Sequence, residues 1–143
     1  MKSYTFFWVA MPVLFLLIAC QPSGTPNLLS ELNSCDSAVV MYYKTPGNPR
    51  FFQMVKVYDS NLLRTLADNA NQFAQTGIKD CVSEGKIYYY GDKGEVYVLY
   101  FTSSCSRLSF INTGEKYSVR LHSRSKSILD SLQAYAYEPL RSN

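Results

Sequence analysis

Lys86-Ile87-Tyr88-Tyr89-Tyr90-Gly91-Asp92-Lys93-Gly94-Glu95-Val96-Tyr97-Val98-Leu99-Tyr100-Phe101 reads as two β-strands around a tight turn. Aromatic and β-branched residues fill both arms, as strands favour. Gly91 and Gly94 permit the positive φ that tight hairpins need. A three-residue loop, Asp92 to Gly94, would pair Gly91 with Glu95, and the residue numbers of every cross-strand pair would then sum to 186. Side chains alternate across a strand. This register therefore sets Tyr88, Tyr90, Val96, Val98 and Tyr100 on one face and Ile87, Tyr89, Tyr97, Leu99 and Phe101 on the other. The second set is bulkier and is expected beneath helices. The first set is expected to form an open aromatic patch. Two competing outcomes are a flipped assignment, with the valines under the helices, and a sheet that curls to bury both faces.

Moving outward, Arg107–Ile111 and Lys116–Leu121 flank a second turn at Asn112-Thr113-Gly114-Glu115. Upstream, Ala38–Tyr43 and Phe51–Tyr58 read as strands separated by the breaker-rich Thr45-Pro46-Gly47-Asn48-Pro49. Lys56 alternates with Phe52, Met54 and Tyr58, which points that set away from the core or to an edge. Asp59 or Ser60 caps a helix expected to run to about Gln75, with Leu62, Leu63, Leu66, Ala70 and Phe73 on one face and Gly77 past its end. Ser123 or Ser125 caps a last helix carrying Ile128, Leu129, Leu132 and Tyr135. The expected fold is α+β: an antiparallel sheet of about six strands in the order ββ-α-ββββ-α, with both helices on one face.

The N-terminus carries a different message. Lys2 precedes the apolar run Phe6–Ala19, which has the length of a signal core and is shorter than the ~20 residues of a spanning helix. It ends in Leu17-Ile18-Ala19-Cys20. These residues resemble the lipobox of bacterial lipoproteins: aliphatic, small or aliphatic, Ala or Gly, then Cys. The resemblance implies cleavage before Cys20 and attachment of lipid to its thiol. Two or more acyl chains would hold the chain on a membrane, at roughly 0.8 kcal/mol per buried CH₂. Residues 1–19 are then the signal peptide, 20–34 the anchor and tether (Gln21-Pro22-Ser23-Gly24-Thr25-Pro26-Asn27 resists helix and strand alike), and 35–143 a single domain. Position 21 is not Asp, so the inner-membrane retention signal of enteric lipoproteins is absent. The resemblance implies an outer-membrane location facing the periplasm in a cell with two membranes.

Export places the remaining thiols, Cys35, Cys81 and Cys105, in an oxidising compartment. Cys81 and Cys105 obey the same sum of 186. Even if register breaks near Ser83-Glu84-Gly85 or Thr102-Ser103-Ser104, the meander brings the two chain segments together. A Cys81–Cys105 disulfide is expected, closing a loop of about 25 residues for roughly 3 kcal/mol, with Cys35 free. A redox pair would need C-x-x-C spacing or a helix N-terminus, and neither is evident.

Catalytic signals are sparse. His122 is the only histidine, which excludes an H-E-x-x-H metal site, and no P-loop, G-x-S-x-G or G-x-G-x-x-G occurs. No metal site and no cofactor is expected. Carboxylates could support glycoside hydrolysis, but Asp59, Asp68, Asp80, Glu84, Asp92, Glu95, Glu115 and Asp130 read as caps, turn residues or a solvated face. Asp80 and Glu84, beside Cys81, are the least explained. Without Lys2 the chain has 13 basic and 11 acidic residues, a net charge of +2, and no basic run; nucleic acid is not an expected partner.

Tyrosine is the unusual component, with 11 in the 124 residues from Cys20 onward. Strand propensity accounts for many of them. As a recognition platform, tyrosine supplies rigid contact area and a hydroxyl that suit proteins and sugar rings. Tyr88, Tyr90 and Tyr100 are the candidate binding face. The sequence thus points to a membrane-anchored, non-enzymatic lipoprotein of the envelope that binds a protein or a cell-envelope polymer. The alternatives are a small inhibitor or immunity-type lipoprotein and a hydrolase of envelope polysaccharide.

Overall fold

In the computed structural model, residues 28–75 and 81–140 are described. Cys20 and Asp80 lie outside them. The elements are α1 (Leu29–Asn33), β1 (Cys35–Thr45), β2 (Asn48–Val57), α2 (Ser60–Ala67), a 3₁₀ turn (Asp68–Gln72), β3 (Ala74–Gln75), β4 (Gly85–Gly91), β5 (Val96–Thr102), β6 (Arg107–Asn112), β7 (Glu115–Arg120) and α3 (Ser123–Gln133). One antiparallel sheet has the order β2-β1-β4-β5-β6-β7-β3, so the α+β class and the long meander stand.

The β4–β5 register runs from Gly85 opposite Phe101 to Tyr90 opposite Val96, the sum-186 pairing. Gly91 N–H closes the loop on the Glu95 carbonyl at 2.9 Å. The β6–β7 turn needs positive φ at both central residues, and Thr113 (48°) and Gly114 (84°) supply it. The first hairpin is tighter than its prolines imply. Thr45 already pairs with Asn48 across Pro46-Gly47, so β2 starts at Asn48 rather than Phe51. Pro49 stands in an edge strand, where a missing N–H is tolerated.

Ala38, Val40, Tyr42, Val57, Ile87, Tyr89, Leu99, Phe101, Leu108 and Tyr117 form the inward sheet face, all 5% exposed or less. Leu63, Leu66 and Ala67 of α2 and Leu129 of α3 pack on it. Tyr42 donates its hydroxyl to the Leu129 carbonyl at 2.7 Å, locking α3 to β1. Removing ten such side chains from water, at ~1.5–3 kcal/mol each, is the main stabilising contribution of the sheet.

Several expectations need correction. The helix after Asp59 does not run to Gln75. Asp59 caps it by accepting from Asn61 N–H (2.8 Å) and Leu62 N–H (3.1 Å), but it ends at Ala67 and tightens into the 3₁₀ turn. The cause is Asn69, fully buried, whose amide donates to Ser125 Oγ (2.9 Å) and accepts from His122 N–H (2.7 Å). Ser125 in turn donates to the Thr65 carbonyl, so it clasps α2 to α3 instead of capping α3. His122, exposed, occupies the N-cap position without a side-chain bond. Residues assigned to the tether are also partly core: Leu28 and Leu32 are 2% and 1% exposed, and α1 joins the helical layer. The alternation at β2 reads correctly, with Val57 inward and Lys56 outward.

Both sheet edges are guarded. Tyr137 of the C-terminal tail exchanges two backbone hydrogen bonds with Met54 (2.8 and 2.9 Å) on the free edge of β2, and Lys44 pairs with Glu138 beside it. At the other edge β3 is only two residues long. Short or covered edges limit pairing with another chain.

Candidate functional site

The outward sheet face carries Val39, Met41, Tyr43, Phe52, Met54, Tyr88, Val98 and Tyr100, all half-buried by one another. The buried faces of α2 and α3 lie against the opposite side.

Lys86 stands at the centre of this face. Its register partners are Met41 on β1 and Tyr100 on β5. The ammonium lies 5.4 Å from the Tyr100 ring centroid and 5.9 Å from that of Tyr88, both within cation–π range. Burial alone would lower the Lys86 pKa, but the hydroxyls of Tyr43, Tyr88 and Tyr100 outweigh it and the net shift is upward. Burial raises Tyr43, against the opposing pull of Lys86. The result is a fixed cation ringed by three tyrosines. It can donate to an acceptor above the sheet while the ring faces offer apolar contact.

Of the sequence-derived site residues, Tyr88 and Tyr100 meet at Lys86. Tyr90 does not join them. It is 38% exposed, lies beside Ser37, and with Val39, Lys56 and Tyr58 lines a separate hollow of about 260 Å³. Sequence reasoning overlooked Lys86 and Tyr43. The signal for Lys86 was present, because the sum of 186 pairs it with Tyr100.

Charge is segregated on this face. Lys56, Lys86, Arg107, Lys116 and Arg120 occupy outward ladder positions, and no Asp or Glu occupies any paired outward position. The acidic side chains have other tasks. Glu84 accepts from the backbone N–H groups of Ser103 (2.8 Å) and Ser104 (3.2 Å), Glu115 accepts from the Tyr117 hydroxyl, and Asp130 pairs with Lys126 on α3.

Cys81 and Cys105 are joined, with Cα atoms 6.7 Å apart. They lie beyond the β4–β5 ladder, which ends at Gly85 and Phe101, so their Cα separation exceeds the ~4.5–5.5 Å of opposed strand residues. Cys35 is a free buried thiol. Burial raises its pKa, and the carboxylates of Asp36, Glu95, Asp92 and Glu31 add to the effect, which keeps it protonated and unreactive.

Among the described residues no three His, Cys, Asp or Glu side chains gather as a metal site, and no helix is long and apolar enough to cross a membrane. No family model, curated protein or solved structure matches this chain.

Proposed function

We propose that this chain is a lipid-anchored, non-enzymatic binding protein of the bacterial envelope, tethered through Cys20 to the outer membrane and facing the periplasm, and that its open sheet face holds an anionic envelope polymer. One observation carries the reading. The outward face combines half-exposed tyrosine rings with the basic side chains of Lys56, Lys86, Arg107 and Arg120, and no carboxylate stands opposite these four at a paired position. Aromatic rings give sugar rings a flat surface, and a charge-segregated face favours partners of opposite sign. The small net charge of the whole chain conceals this arrangement, because the acids sit at caps, turns and helices.

The test uses the full-length chain in non-ionic detergent, with a polyuronate and an uncharged glucan as probes in affinity electrophoresis. Retardation by the polyuronate alone, weakening as salt rises, is the expected result. Tyr88→Ser with Tyr100→Ser should abolish it while the far-ultraviolet circular dichroism spectrum is retained. Equal retardation by both polymers, or by neither, refutes the proposal. A folded double variant that binds as well as the parent also refutes it.

A further inference from the structure

We infer that Arg107 and Arg120 form a second subsite, one that takes a tetrahedral oxyanion of the phosphoryl type. The two arginines are direct partners on the β6–β7 ladder and point outward together. Like charges placed opposite each other on adjacent strands are destabilising. Here neither guanidinium has an ion pair among the described residues, and the nearby Glu84 is occupied by the backbone of Ser103 and Ser104.

Arg107 Nε is buried and has no hydrogen-bond partner among the described residues. A buried charged donor without an acceptor is costly, so a group that supplies one binds with gain. Both arginines line one open cavity of about 630 Å³, together with Ser104, Ser106, Ser118 and the disulfide residue Cys105. That volume falls in the ~300–1,000 Å³ range of small-ligand sites. The cavity is fixed on two sides. Cys105 is tied to Cys81, and the Ser106 carbonyl accepts from Leu121 N–H at 2.8 Å.

The donor set selects the anion. One guanidinium fork satisfies both oxygens of a carboxylate. Two forks from adjacent strands, with serine hydroxyls beside them, offer more donors than two oxygens can accept. A tetrahedral group with three or more oxygens uses both forks at once. The two arginines are among the basic residues of the polymer reading, but the subsite shares no residue with the Lys86 cluster and its argument stands without a polymer.

The experiment titrates inorganic phosphate into the full-length chain in non-ionic detergent at constant ionic strength. The thermal midpoint is followed, with acetate as the carboxylate control and sulfate and glycerol phosphate as further arms. Phosphate and glycerol phosphate should raise the midpoint well above acetate. A response to phosphate and sulfate without glycerol phosphate would restrict the site to free anions, while a response to all three admits esterified groups; both support the subsite. Arg120→Gln alters an exposed side chain and should weaken binding about tenfold or more, the loss of a charge-assisted pair. Arg107→Lys keeps the charge but removes the fork and should weaken it similarly. Tyr88→Ser with Tyr100→Ser should leave the phosphate response intact, which separates failure here from failure of the polymer reading. A midpoint shift no larger than that of acetate, or one preserved in Arg120→Gln, overturns the inference.

Discussion

Tyr88, Tyr89 and Tyr90 are consecutive and chemically identical, so replacing each by Ala isolates the effect of sheet face. Tyr89 points inward and is fully buried. Truncating a large buried aromatic costs ~3–5 kcal/mol through lost transfer free energy and the cavity left behind. One feature reduces that figure. The Tyr89 hydroxyl is buried without a hydrogen-bond partner among the described residues, and its desolvation raises its pKa strongly. An unpaired hydroxyl costs about 1–3 kcal/mol, so removing it returns part of the loss. Tyr89→Ala should therefore destabilise by about 2–3 kcal/mol, while Tyr89→Phe, which leaves the ring and removes only the hydroxyl, should stabilise by about 1 kcal/mol. Tyr88 is half-buried, with the Lys86 ammonium over its ring, and Tyr90 is 38% exposed. Tyr88→Ala should cost about 1 kcal/mol and Tyr90→Ala about 0.5 kcal/mol. Urea unfolding monitored by circular dichroism measures all four, with an unchanged m-value as the check that the midpoint shift reports stability. Equal losses at 88 and 89 would mean that both sheet faces are core, and the open-face argument would fall. A loss of stability in Tyr89→Phe would show that the hydroxyl has a partner in solution.

Three further outcomes are expected. Cys20→Ala should block processing and accumulate a larger precursor; normal cleavage, with the parent chain in the aqueous phase of a detergent separation, would refute lipidation. Non-reducing peptide mapping should recover one cross-linked pair containing Cys81 and Cys105, and Cys81→Ser with Cys105→Ser should lower stability by about 3 kcal/mol, whereas a cross-link to Cys35 would contradict the observed pairing. Gly85→Ala should disrupt the sheet, because a Cβ there would sit 2.2 Å from the Met41 carbonyl oxygen and 2.3 Å from the Phe101 ring; a melt within 1 kcal/mol of the parent would show that β1 and β4 can part more easily than their register implies.

The central hairpin was legible because its signals were local. Two glycines set the loop, the loop set the register, and the register assigned every side chain to a face. The asymmetry between Ile, Leu and Phe on one side and Tyr and Val on the other then identified the helical side. The length of α2 was not legible, because Asn69 reads as a poor helix former in isolation and acts through Ser125 and His122, each more than fifty residues away. The same holds for Leu28 and Leu32. A Pro- and Gly-rich tether precedes them, and only the tertiary fold shows that they reach the core. The site was half legible. Tyr88 and Tyr100 follow from alternation, whereas the Arg107–Arg120 pair requires the β6–β7 register, and Tyr43 requires β1 to lie beside β4.

The position of β1 between β2 and β4 has a consequence for the choice of partner. It makes the outward face wide, running over the six longer strands β2, β1, β4, β5, β6 and β7, and wide apolar faces on small proteins tend to associate with copies of themselves. Face-to-face association of two identical copies would bring the Lys86 cluster and the Arg107–Arg120 pair of each near the basic residues of the other, with no carboxylate at a paired outward position to compensate. Lysine and arginine are charged at neutral pH, so this repulsion persists there. The lysines and arginines therefore act in two ways at once. They disfavour self-association of an aromatic surface, and on the proposed reading the Lys86 cluster and the Arg107–Arg120 pair would be compensated by an anionic partner. A neutral partner would gain ring contact but leave both clusters uncompensated. An anionic one would gain both, so the proposed choice of ligand class rests on the charge pattern more than on the tyrosine content.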